Sequence, residues 1–257
     1  MRQKDIVARC RRDLLRSIAA VFGKPLAAHA RPLIIAPHPD DEVFGCGGFL
    51  GKLVDSGVQA HVLFLTGGGG SHRACCMVGE EIVTVQRRLL AADAASVLGI
   101  PDNHLQFLGE VDGQLPRKGP GRFPLLSQKI ADCIRAIQPK SVFCPHPFEG
   151  WADHMAAEEL TRAALGTLPE AVRPRLFHYC VWFWYSMPLK QAIRIDWRQA
   201  RLLDISAQLP LKRQAIRTYL QALAPCGYPW VGNLPAEFLR AFEWDKELFF
   251  EADAGRR

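Results

Sequence analysis

Apolar residues recur along this chain with two different periods. Leu33-Ile34-Ile35-Ala36 is a short unbroken apolar run, and Val58 to Leu65 is nearly all apolar. Such runs predict strands covered on both faces. Val142 to Cys144 reads the same way, and Leu105 to Leu108 predicts a further strand. Helical spacing fills the gaps. Cys46, Leu50, Leu53 and Val54 mark one face of a helix over 43–55, and Ile82, Val85, Leu89 and Ala92 one over 79–98, ending at Gly99. Leu126, Ile130, Cys133, Ile134 and Ile137 mark a helix that stops before Pro139, and residues 153–165 form another. Strand and helix alternate, which predicts an α/β fold: a single Rossmann-like domain with a mostly parallel, doubly wound sheet flanked by helices.

The pattern changes after about residue 170. Leu176 to Tyr185 is a long β-type run rich in aromatics, and residues 209–223 have helical spacing through Ala215, Ile216, Tyr219 and Leu223. The last thirty residues read as irregular and aromatic. This portion extends the same sheet, so the expected domain spans 31–250, followed by a flexible tail over 251–257. Residues 1–30 precede it as a basic amphipathic helix with Ile6, Cys10, Leu14 and Ile18 at every fourth position.

Charge concentrates in that leading helix. Arg2, Lys4, Arg9, Arg11, Arg12 and Arg16 stand against Asp5 and Asp13, within a chain of net charge +6. The ordinary reading is a surface helix that shows its charges to water. The same pattern suits peripheral contact with an anionic membrane surface. Nucleic acid is not expected, because the charge is local and no aromatic residues interleave with it. The first thirty residues lack the continuous apolar stretch of a signal peptide, and no window is long enough to span a bilayer. The expected compartment is the cytoplasm. The eight cysteines include no CxxC pair and sit mostly in apolar runs, as with Cys133 and Cys144, so they read as reduced thiols. The adjacent pair Cys75 and Cys76 has polar neighbours and is the exception, open to a metal or redox role.

Two segments carry candidate chemistry, both where a predicted strand gives way to a helix. In open α/β sheets, ligands bind beyond the carboxyl ends of the strands. Pro37-His38-Pro39-Asp40-Asp41-Glu42 follows the first strand. An acidic helix cap explains one of these carboxylates, but three beside a histidine repel one another unless a cation offsets them. The second segment runs from Pro145 through His146, Glu149 and Trp151 to Asp153-His154. His154 can supply a third ligand, and three protein ligands with one open position is the pattern of a catalytic zinc site.

At these residues the chain resembles the PIG-L/LmbE-like family of zinc-dependent N-acetylglucosaminyl deacetylases. Ala36 to Glu42, with Gly45 and Gly47-Gly48, is similar to the family signature, and Ala152-Asp153-His154 is similar to its second metal motif. Thr66-Gly67-Gly68, Arg87, Leu98-Gly99 and Asp112-Gly113 resemble the intervening elements, and Lys212, Ala215 and Tyr219 the C-terminal helix. The resemblance covers about residues 31–225. It implies that His38, Asp41 and His154 hold zinc, with iron(II) able to use the same ligands. It makes Asp40 the general base and has Arg87 contact substrate; Glu42 orients neighbouring groups or caps the helix. Many members carry a histidine where this chain has Trp151, which is grouped here with the substrate-contacting residues. His146, on the same loop, is the candidate replacement as catalytic acid. Gln221 and Ala222 also depart from the Ser-Gln often found there. The implied activity is a metal-dependent amidohydrolase, removing the N-acetyl group from an N-acetylglucosamine unit of a small or lipid-linked conjugate. The alternatives are metal-dependent hydrolysis of another amide or ester, and non-catalytic carbohydrate binding, where an intact Asp40 would serve no purpose.

Overall fold

The computed structural model describes residues 3–26 and 31–252. Its strands are β1 (Lys24–Pro25), β2 (Pro32–Ala36), β3 (His61–Thr66), β4 (Leu105–Glu110), β5 (Ser141–Pro145), β6 (Arg175–Tyr179), β7 (Ala200–Asp204) and β8 (Lys246–Ala252). The helices are α1 (Gln3–Phe22), α2 (Asp41–Asp55), α3 (Glu80–Val97), α4 (Arg122–Ile137), α5 (Ala152–Gly166), α6 (Leu189–Ala192), α7 (Leu209–Gln221) and α8 (Ala236–Leu239). The strands form one sheet in the order β1-β7-β8-β6-β5-β2-β3-β4. All neighbours are parallel except β8, which runs antiparallel to both β6 and β7.

Alternation along the central strands splits the core into two layers. Ile34 and Ala36 of β2, with Val62 and Phe64 of β3, enter the layer shared with α2 and α3. Leu33, Ile35, Leu63 and Leu65 enter the layer under α4 and α5. From β2 the chain winds outward through β3 and β4, then returns to place β5 on the other side of β2. The carboxyl ends of β2 and β5 therefore flank a topological switch point, where an open α/β sheet leaves a crevice.

Helix α2 lies close on the sheet because glycines leave room. A Cβ at Gly45 would sit 2.3 Å from Tyr179, and one at Gly48 2.6 Å from Ile205. A buried ion pair fastens the helix: Lys212 Nζ meets Glu247 Oε1 at 2.6 Å and also donates to the Phe44 carbonyl, while Glu247 accepts the Gly48 and Phe49 amides.

Several sequence expectations need correction. In α1 the buried residues are Ala8, Arg12, Leu15 and Ala19, whereas Ile6 and Leu14 are about half exposed, at 45% and 51%. The domain surface offers hydrogen-bond acceptors to this helix, and arginines reach them. Arg12 pairs with Glu237 at 2.9 Å, Arg16 donates to the Ala241 carbonyl at 2.7 Å, and Arg11 donates to the Tyr185 carbonyl. In α3 the buried face is Val83, Arg87, Leu90, Ala91 and Ala94, while Ile82, Val85 and Leu89 point outward. Both faces carry apolar residues, so periodicity alone selected the wrong phase.

The run Leu176 to Tyr185 is not one strand. It ends as β6 at Tyr179 and turns through a 3-10 segment at Trp182–Trp184. Glu149 accepts the amides of Val181, Trp182 and Phe183, which takes that backbone out of the ladder. The last thirty residues are not all irregular: β8 is an inner strand, and its Leu248, Phe249 and Phe250 are buried. Of the expected tail, Glu251 and Ala252 belong to β8; Arg2 and residues 253–257 lie outside the described residues. No helix among the described residues is long and apolar enough to cross a membrane.

Candidate metal centre

The crevice at the switch point is lined by His38, Asp40 and Asp41 after β2 and by Trp151 and Asp153 after β5, in a cavity of about 440 Å³. His38, Asp41 and His154 each bring one potential ligand atom within 4.8 Å of the others. His38 Nδ1 lies 3.2 Å and His154 Nε2 3.3 Å from the same carboxylate oxygen, Asp41 Oδ2. The local sequence explains the placement. Asp41 opens α2 and His154 sits in the first turn of α5, so the two helix starts present their side chains across the crevice.

The test of a metal is His154 Nε2. This buried nitrogen makes no hydrogen bond. Its ring partner Nδ1 lies 2.6 Å from Glu149 Oε2, so the neutral imidazole that donates there carries its lone pair on Nε2, facing His38 and Asp41. A carboxylate behind a histidine fixes its tautomer in just this way at metal sites. His38 is braced similarly, with Nε2 3.1 Å from Asp112 and 3.2 Å from Asp153. Those two carboxylates also gather with His38, but they are already engaged. Asp112 accepts the Gly70 amide, and Asp153 accepts the amides of Gly113 and Leu115. The donor set His38, Asp41 and His154 fits a divalent cation such as zinc.

The electrostatics point the same way. Burial opposes ionisation of Asp41, but His154 and His38 outweigh it and hold the carboxyl well below its usual range. Burial also opposes charge on His154, yet Asp41 and Glu149 raise it to about 9, and three carboxylates hold His38 well above the ordinary histidine value. The pocket draws positive charge onto its histidines, and a cation can supply that charge instead.

Asp40 differs from its neighbour. Burial pushes its carboxyl up to about 7, against the opposing pull of Arg87. Its backbone is held at φ 128°, a conformation that costs an ordinary residue on the order of 1–3 kcal/mol. Two side chains hold it, and Tyr219 holds one of the two. Arg87 Nη2 donates to the Pro39 carbonyl at 2.5 Å and lies 3.1 Å from Asp40 Oδ2, while Nη1 donates to the Gly68 carbonyl. Glu42 Oε2 accepts the Asp40 amide at 2.9 Å, and Tyr219 from α7 donates to Glu42 Oε1 at 2.5 Å. Arg87 lines the cavity; its Nη2 braces the motif, and its Nη1 ties the guanidinium to the turn after β3.

Trp151 is 45% exposed at the cavity mouth and packs on Trp182, ring centroids 4.6 Å apart. Of the aromatic run, Phe177, Tyr179, Phe183 and Trp184 are buried in the core, and Trp182 reaches the cavity. His146 is not brought to the cavity. It is caged by Phe148, His178, Phe183 and Phe250, its Nδ1 accepts the Phe148 amide, and burial holds its pKa well below the ordinary value. A sealed neutral imidazole cannot protonate a substrate, so the expected replacement acid is corrected.

Sequence reasoning gave no role to Glu149, Asp112 or Asp153. Glu149 and Asp153 could have been sought as carboxylates on the turn that delivers His154. No spacing signal links Asp112 to His38, because β4 and its loop bring it there.

A diacetylchitobiose deacetylase of Thermococcus kodakarensis is 27% identical over 218 residues, covering 80% of this chain and 75% of that one. A probable N-acetyl-α-D-glucosaminyl L-malate deacetylase of Bacillus anthracis is 31% identical, covering 56% of this chain and 63% of the other. The N,N'-diacetylchitobiose deacetylase structure from Pyrococcus horikoshii superposes with a TM-score of 0.62 at 21% identity, covering 91% and 82% of the two chains. The PIG-L family model, described as GlcNAc-PI de-N-acetylase, matches residues 33–165, more than half of the chain and the whole stretch from β2 to the metal-facing turn of α5; the chain belongs to this family.

Proposed function

We propose that this chain is a zinc-dependent N-deacetylase, hydrolysing the acetamide of an N-acetylglucosamine-type sugar conjugate to acetate and a free amine. The observation that carries the reading is the buried His154 Nε2, which makes no hydrogen bond and faces His38 and Asp41 at the edge of a cavity that Asp40 lines. The relatives named as deacetylases of N-acetylated sugars support the substrate class.

Zinc held by His38, Asp41 and His154 would acidify water and polarise the acetamide carbonyl. Asp40 is the general base: its carboxylate takes the proton from the attacking water and returns it to the leaving amine. Arg87 and Glu42 position Asp40, one at its carboxylate and one at its amide. Trp151 and Trp182 offer an apolar platform that suits the face of a sugar ring. The second carboxylate group serves as hydrogen-bond acceptor to His38, so it supports a one-metal centre over a two-metal phosphoesterase. Iron(II) is a competing occupant of the same ligands.

The test is acetate release from a panel of N-acetylglucosamine conjugates by zinc-loaded and chelated protein, with Asp40→Asn alongside. The expected outcome is metal-dependent release that falls by about 10²–10⁴ in Asp40→Asn, with zinc content unchanged. Equal release by wild type and Asp40→Asn would reject the assigned base. No release from any conjugate by metal-loaded protein would reject the activity.

A further inference from the structure

The adjacent cysteines outside the candidate active site acquire partners in the fold. His72 and Cys75-Cys76 lie on the segment after β3, and Cys226 lies 150 residues away on the turn after α7. We propose that His72, Cys75, Cys76 and Cys226 form a second, structural zinc site. The site stands independently of the deacetylase reading.

The four potential ligand atoms lie within 4.8 Å of one another. His72 Nδ1 is 3.1 Å from Cys75 Sγ, 3.7 Å from Cys76 Sγ and 3.4 Å from Cys226 Sγ. Cys75 Sγ is 3.9 Å from Cys76 Sγ and 3.6 Å from Cys226 Sγ. A tetrahedron with Zn–S near 2.3 Å and Zn–N near 2.0 Å has N–S edges of about 3.5 Å and S–S edges of about 3.8 Å. The measured edges scatter about those values.

The imidazole is also prepared for a metal. His72 is buried, and its Nε2 lies 3.0 Å from the Pro229 carbonyl. A carbonyl can only accept, so Nε2 carries the hydrogen and Nδ1 turns its lone pair to the three sulfurs. Three thiolates and one imidazole form a closed, soft donor set with no open position, which is the composition of a structural zinc site. Binding would displace the three thiol protons to solvent.

The position gives the site a purpose. Gly70 and Ser71 line one side of the substrate cavity, and Val231 and Gly232 line another. Ser71 Oγ already donates to the Trp230 carbonyl at 2.8 Å. A zinc ion joining His72, Cys75 and Cys76 to Cys226 would cross-link these two rim segments next to the crevice.

Zinc content per chain is measured on the full-length protein after equilibration with zinc and removal of excess. Wild type is expected to hold two equivalents, a Cys75→Ser/Cys226→Ser variant one, and His154→Ala one, so the two sites are counted separately. Cobalt-loaded wild type should show thiolate-to-cobalt charge transfer that survives in His154→Ala. For wild type alone, Cys75, Cys76 and Cys226 should resist alkylation until a chelator is added. The proposal is overturned if the thiol variant retains the wild-type zinc content, or if alkylation is equally fast with and without zinc. A Cys75–Cys226 disulfide in protein prepared with zinc would also overturn it.

Discussion

Asp40 and Asp41 are neighbours in sequence with the same side chain, yet the fold divides their work. Asp41 faces two histidines and stays ionised at the ligand set, while Asp40 is buried on a strained backbone beside a single arginine. The same logic assigns Glu149, which is fully buried and touches both His154 Nδ1 and three backbone amides. Glu149→Gln keeps the shape but removes the charge behind the ligand. We expect zinc affinity to fall by about 10–100-fold, read by competition with a chromophoric chelator. Unchanged affinity would mean that Glu149 only fastens the Val181–Phe183 turn.

At the scale of elements, buried polar pairs hold the layers in register. Lys212 of α7 and Glu247 of β8 meet under the glycines of α2, both almost fully buried. Lys212→Met leaves the buried Glu247 charge without its counter-ion, so unfolding free energy should fall by about 3–5 kcal/mol in a denaturant titration; a double change with Glu247→Leu should cost less. A second pair links α5 to β6, where Glu158 accepts from Arg162 and lies 3.2 Å from His178. Burial opposes ionisation of Glu158, but His178 and Arg162 outweigh it and lower its pKa from 4.5. A lowered folded-state value adds stability above the unfolded value, and that stability is lost as pH falls through the folded value. Glu158→Gln should therefore be less stable at neutral pH by about 1–3 kcal/mol, and the difference should shrink below about pH 4.5. A difference independent of pH would contradict the assignment.

For the whole molecule, one sheet carries everything described, including the N-terminal segment, whose β1 pairs with β7. Helix α1 is attached through cations: Arg12 to Glu237, Arg11 and Arg16 to backbone carbonyls. This use of arginines competes with the reading of α1 as a helix whose charges all face solvent or an anionic surface. Arg12→Met removes one partner of a buried pair. It should cost about 1–3 kcal/mol, lowering Tm by about 2–4 °C for each kcal/mol in a chain of this size. An unchanged Tm would mean that the Arg12–Glu237 pair adds nothing net to the docking of α1.

The sequence by itself determined the strand-helix alternation and the placing of His38, Asp41 and His154 where a strand gives way to a helix. Period, cap and ligand type are local properties, written in adjacent residues. It also carried the family likeness, because the motif from Ala36 to Glu42 is contiguous. Only the tertiary structure decided which face of α1 and α3 is inside, since both helices have apolar residues on more than one face. It alone showed β8 as an inner strand, His146 sealed in the core, and Asp112 behind His38. The same holds for Cys226, brought to Cys75 and Cys76. Each of these depends on a contact between distant segments, where the packing partner decides what a side chain can do.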